Sequence, residues 1–195
     1  YDNQYYIDSC KKELFSKDEE SFTQSLKNSK ILDTKEYNLI DWRHIDTILD
    51  IADTRRELII DLHKQKFFKK LLFNFMPSKN ILVKQQWAVS NFSYCAIGNK
   101  LFRLISTCSD LNTILDSFPD DFILKKGLTW LEDVMQCLDN LLTKNVNEDK
   151  DNPFQFRRVY NSLSRNIFSF ICILSQTTSG DEYLFKKNFY TLLDK

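Results

Sequence analysis

The scarcity of glycine and proline constrains the fold of this chain more than any other feature. Only three residues of each type occur in 195 positions. Sheets joined by hairpins need turn-forming residues roughly every 8–12 positions, whereas long helices do not. The composition therefore predicts an all-α fold. A chain of this length buries roughly 70% of its unfolded surface, so it needs no disulfide or metal to hold a core.

One of the three glycines, Gly98, lies inside a helical apolar pattern. Spacings of three and four residues place it on one helix face with Tyr94, Leu101 or Phe102, and Ile105. A glycine inside a helix costs about 1 kcal/mol relative to alanine. A helix tolerates that cost where a second helix must come close. The pattern therefore predicts that Gly98 is buried at a helix crossing.

Apolar periodicity predicts helices along most of the chain. Acidic and Ser/Thr residues mark several of their starts, and Asp41 is the predicted cap of the helix that contains Trp42. The stretch 167–174 is also rich in β-branched and aromatic residues, which makes a strand the rival prediction. The predicted helices cover residues 5–15, 16–29, 42–49, 53–76, 87–106, 111–115, 128–142, 156–174 and 183–192.

Residues 78–84 and 145–153 are predicted loops. The second is the strongest polar break, but it is too short for a domain linker, so residues 1–195 are interpreted as one region. Residues 104–106 and 173–175 each lead from a long apolar helix through a Ser/Thr turn into a short helix. This faint repetition is typical of an α-solenoid, in which helix pairs stack on their neighbours. Both ends of the sequence look cut, which suggests a piece of a longer chain.

The residues that could carry chemistry are few. His44 and His63 lie on separate predicted helices, and the sequence contains no common nucleotide, hydrolase or metalloprotease motif. We therefore predict no catalytic residues, no cofactor and no metal. A formal net charge of zero argues against nucleic acid as a partner. No apolar run approaches 18 residues, so no membrane-spanning helix is predicted.

The five cysteines show no C-x-x-C spacing, and their number is odd. We interpret them as unpaired, buried thiols in a reducing compartment. An enzyme with a Cys–His site formed by distant residues is an alternative, since such partners need only meet in space. The cysteines are Cys10, Cys95, Cys108, Cys137 and Cys172.

A basic segment supports a second alternative. Lys64, Lys66, Lys69 and Lys70 are interleaved with phenylalanines, a pattern found at membrane surfaces and partner sites. A solvated face above a buried one explains the same pattern. We keep a binding patch for anionic lipid or for a partner as the alternative.

Five segments, in order, resemble the middle region of the Rictor family, the large scaffold subunit of TOR complex 2. Residues 1–15 resemble its opening, and residues 40–49 its Trp-containing helix. Residues 68–78 are similar to the family's R-L-L-x-F-Y-x-P helix end, and residues 91–102 to its N-x-K-Y-x-x-I-G-x-x-L-F helix. Residues 163–175 resemble its last L-S-flanked helix. The turns after the two long helices depart from the family's usual Pro-Glu-Gly, which suggests a divergent, fungal-type member.

The resemblance implies a non-enzymatic armadillo/HEAT-like α-solenoid. It implies the Tor kinase and other TOR complex 2 subunits as partners, AGC-kinase substrates as indirect partners, and a cytoplasmic location peripheral to the plasma membrane. The matching positions are expected to be core positions rather than binding residues. They are Trp42, Pro77, Asn91, Tyr94, Gly98, Leu101, Phe102, Leu163 and Ser175.

Overall fold

A computed structural model of the chain describes residues 19–84, 92–117, 128–143 and 152–194. Every regular element within these ranges is a helix, so the predicted all-α class is confirmed. The predicted helix at 5–15, the start of the helix at 87–106, and residues 145–151 of the polar loop lie outside the described residues.

Twelve α-helices and three short 3₁₀ helices occupy the described ranges. The α-helices are α1 (19–29), α2 (Trp42–Thr54), α3 (Leu58–Lys64), α4 (Phe67–Asn74), α5 (Ile81–Lys84), α6 (Phe92–Ser106), α7 (Leu111–Leu115), α8 (Trp130–Thr143), α9 (Phe156–Asn161), α10 (Asn166–Ser175), α11 (Thr178–Lys186) and α12 (Phe189–Leu193). The 3₁₀ helices are Tyr37–Leu39, Pro77–Lys79 and Leu163–Arg165.

The chain divides into two compact units, Tyr1–Asp61 and Leu62–Lys195. In the first unit the carboxylate of Asp41 accepts a hydrogen bond from the Arg43 amide at 3.0 Å, which confirms the predicted cap of α2. The buried apolar side chains of this unit come mainly from α1, α2 and the turn between them. They include Phe22, Leu26, Ile31, Ile45, Ile48, Leu49 and Ala52.

The single helix predicted over 53–76 is wrong. Helix α2 continues through Thr54, and α3 and α4 follow as separate helices. The first break comes at Arg55, whose ψ of 78° is not helical. The second comes at Lys66, which has a left-handed backbone with φ 63°. Apolar periodicity continues across both breaks, and neither break carries the glycine that would mark a left-handed residue.

The predicted loop at 78–84 is also wrong, because the 3₁₀ helix Pro77–Lys79 and helix α5 lie there. Proline is favourable at the first position of a helix, since its fixed φ suits the turn and its missing N–H is not needed. Ile81 and Leu82 of α5 are buried. This segment therefore belongs to the packed part of the second unit.

Helices α6 and α10 form the centre of the second unit and pack against each other. The stretch 167–174 is helical, so the strand alternative is excluded. The described end of the predicted polar loop is packed against the rest of the second unit. Asn152 and Pro153 are buried, and the Asn152 side chain donates a hydrogen bond to the carbonyl of Cys137 at 2.7 Å.

Candidate functional site

Gly98 is buried where α10 crosses α6, which confirms the prediction made from its pattern. A Cβ atom added at Gly98 would lie 2.6 Å from Cζ of Phe170 and 2.9 Å from Cε1 of Phe75. Real Cβ atoms essentially never approach other heavy atoms so closely. A side chain at this position would therefore have to displace the buried rings of Phe170 and Phe75.

The rings around Gly98 form an aromatic cluster, which we define as Phe75, Tyr94, Phe102, Trp130 and Phe170. Phe170 stacks on Phe102 with ring centroids 4.7 Å apart and meets Phe75 edge-on at 5.5 Å. The other two rings extend the cluster on either side, with Tyr94 stacked on Phe75 and Trp130 tilted against Phe102. All five side chains are almost completely buried. Such contacts contribute about 0.5–1.5 kcal/mol per pair beyond area burial.

Three polar contacts join the end of α4 to α6 and α8. The indole N–H of Trp130 donates to the carbonyl of Phe75 at 3.1 Å, and the hydroxyl of Tyr94 donates to the carbonyl of Asn74. The carboxylate of Asp133 accepts from the amide of Ser78 at 2.8 Å. Carbonyl groups at a helix end lack partners within the helix. The two aromatic donors supply them from outside.

Asp133 is a buried carboxyl group at this junction, 2% exposed. Burial raises its pKa above the ordinary value of 3.8, and the hydrogen bonds from Ser78 and the nearby charge of Lys79 oppose that change. The group serves as a cap for the 3₁₀ helix Pro77–Lys79, contributed by a distant part of the chain. Nothing in the apolar pattern of α8 distinguished it.

The positions carried over from the family motifs do not all lie in the core. Trp42 is half-buried, and its indole N–H donates to the carbonyl of Tyr37 at 3.2 Å, so it borders the core of the first unit. Ser175 is exposed, because it is the last residue of α10 and its hydroxyl turns back to the carbonyl of Cys172. Asn91 lies outside the described residues. The buried positions are Pro77, Tyr94, Gly98, Leu101, Phe102 and Leu163.

A second link in this unit joins α7 to α11. Oδ1 of Asp116, directly after α7, accepts from the hydroxyl of Tyr183 at 2.9 Å and pairs with Nζ of Lys187 at 2.7 Å. Burial is the main cause that raises the pKa of Tyr183 far above its ordinary value, and its bond to Asp116 adds to this. The tyrosine is therefore a neutral donor, and this arrangement fixes helix position rather than providing a proton donor or acceptor near neutral pH.

The four lysines of the basic segment do not share one helix. Lys64 ends α3, Lys66 is the left-handed residue between helices, and Lys69 and Lys70 lie on α4. Lys64 and Lys66 are exposed, whereas Lys69 and Lys70 are half-buried. The phenylalanines between them, Phe67 and Phe68, are fully buried. The segment is thus a charged rim above a buried apolar layer.

The histidines and cysteines do not form a cluster in the described ranges. These ranges contain no group of three or more His, Cys, Asp or Glu residues that could hold a metal ion. Cys95 is buried, and burial raises the pKa of its thiol to about 11. Cys108 and Cys137 are half-buried and Cys172 is exposed, so the prediction of buried thiols is wrong for these three. None of the helices described here is long and apolar enough to span a bilayer.

Among the residues that the structure describes, an open surface groove is found in each unit. The groove of the first unit lies around the start of α2, and that of the second lies between α8 and α12. Neither groove is lined by a histidine or cysteine. The lining residues are Asn28, Lys30, Asn38, Leu39, Ile40, Asp41, Trp42 and Arg43 in the first, and Met135, Gln136, Asp139, Asn188, Thr191 and Leu192 in the second.

Comparison with known proteins gives one distant similarity. No protein-family model matches the chain. The chain is 22% identical over 185 residues to protein pianissimo A of Dictyostelium discoideum. The match covers 89% of this chain but only 15% of pianissimo A, so the chain spans a small part of the relative that it resembles.

Proposed function

We propose that this chain is a non-catalytic structural segment of a large TOR complex 2 scaffold of the Rictor type. One observation carries the proposal. The described motif positions with the closest packing, Tyr94, Gly98 and Phe102, build a buried helix crossing rather than a pocket. The similarity to one stretch of the much longer pianissimo A supports a segment within a large chain.

The helix order supports an armadillo/HEAT-like solenoid as the finer fold. Helices α6 and α7 form one consecutive pair, and α10 and α11 form another. The first helices of the two pairs pack against each other, and so do the second helices, with Asp116 joined to Tyr183 between them. Such like-on-like stacking is how solenoids bury their apolar faces.

The mechanism that we propose is geometric. Rigid stacked helices would hold the Tor kinase and accessory subunits at fixed relative positions and would bring AGC-kinase substrates near the kinase. The interior of the crossing is close-packed, so it transmits position with little deformation. The proposed location is cytoplasmic, at the periphery of the plasma membrane.

The test is affinity purification of the full-length parent protein, followed by detection of the Tor kinase. We expect the kinase to copurify with the wild-type protein and with Ala96→Leu, which alters an exposed position of α6. We expect Gly98→Leu to lose the kinase, since it disrupts the crossing. Absence of the kinase from the wild-type sample would overturn the family assignment.

A second candidate is attachment to an anionic lipid surface through Lys64, Lys66, Lys69 and Lys70. The exposure of Lys64 and Lys66 favours it. Flotation of the full-length protein with vesicles containing phosphatidylserine, at two salt concentrations, tests it. Binding that weakens with salt and is lost on replacing the four lysines by glutamine would support the candidate. Binding that is unchanged by the replacement would reject it.

A further inference from the structure

We draw no further inference here: the strongest candidate, the open surface groove between α8 and α12, is lined by both polar and apolar side chains, and nothing in the structure shows what covers it.

Discussion

Helices α9 and α10 follow each other in the chain, and both are rich in aromatic residues. The ring of Phe170 on α10 is buried, however, whereas both rings of α9 are exposed. Phe170 of α10 is fully buried against Phe75 and Phe102 from two other helical segments. Phe156 of α9 is exposed and meets only a ring of its own helix among the contacts described for it. The partner surface that the fold supplies, rather than the local sequence, decides which ring becomes core.

Removing one ring from each helix should give the largest difference in stability between the two helices. Phe170→Ala should lower the free energy of unfolding by about 3–5 kcal/mol, because it leaves a cavity among packed rings. Phe156→Ala should change it by no more than about 0.5 kcal/mol, since an exposed ring leaves no cavity. Urea denaturation of both variants measures the difference. Similar losses in the two variants would show that α9 is packed after all.

Adding a side chain where α6 and α10 cross also tests the difference between buried and exposed positions. Gly98→Leu should cost about 3 kcal/mol, the upper end of the range for overpacking, because two rings lie within 3 Å of the added Cβ. Ala96→Leu is the control on the exposed face of the same helix and should be neutral to within about 0.5 kcal/mol. Thermal denaturation followed by circular dichroism provides the measurement. Equal melting temperatures for Gly98→Leu and wild type would contradict the close contact.

A double-mutant cycle tests whether Phe170 is the residue that restricts position 98 to a small side chain. Gly98→Ala should destabilise the wild-type protein, since the ring of Phe170 occupies the place of the Cβ. In a Phe170→Leu background the same change should destabilise less, because one of the two close rings is gone, while Phe75 remains 2.9 Å from the added Cβ. The measured quantity is the coupling between the two sites. Additive effects would place the restriction elsewhere, with Phe75 as the next candidate.

The smallest effect is expected from the carboxyl group at the edge of the packed region. Burial raises the pKa of Asp133, so the folded state holds its proton more strongly than the unfolded state does. This contribution to stability is complete below about pH 3.8 and is lost as the pH rises through the raised pKa.

Asp133→Asn removes the titration but retains an oxygen that can accept from Ser78. We therefore expect the stability of the variant, relative to wild type, to increase between pH 4 and pH 7. Urea denaturation at several pH values would show it. Parallel pH profiles for the two proteins would indicate that this carboxyl group is solvated in the folded state.

The sequence was sufficient for the helix class and for the central crossing, because burial imposes a regular spacing on apolar residues. Gly98 was informative because a glycine inside a helix lowers the stability of that helix, and a closely packed second helix explains why it is tolerated. The breaks at Arg55 and Lys66 were not predictable in the same way, because the apolar spacing runs across them. Left-handed Lys66 in particular carries no local signal, since it is not a glycine and the fully buried Phe67 and Phe68 follow it directly.

The contacts that could not be predicted share a second property, which is their distance along the chain. Asp133 caps a turn that lies 55 residues earlier, and no local pattern can indicate that pairing. The exposure of Phe156 could not be predicted for a related reason. Helical spacing marks its position as apolar, but whether another helix reaches it depends on the tertiary arrangement alone.

The two hydrogen bonds from α8 to the end of α4 also have a consequence for the order of folding. The bonds from Trp130 to Phe75 and from Ser78 to Asp133 both span 55 residues. Closing a loop of that length costs chain entropy before any contact is gained, so helices with local bonds form sooner. The end of α4 thus acquires its final partners late, when α8 docks. Until then the carbonyl of Phe75 and the amide of Ser78 depend on water.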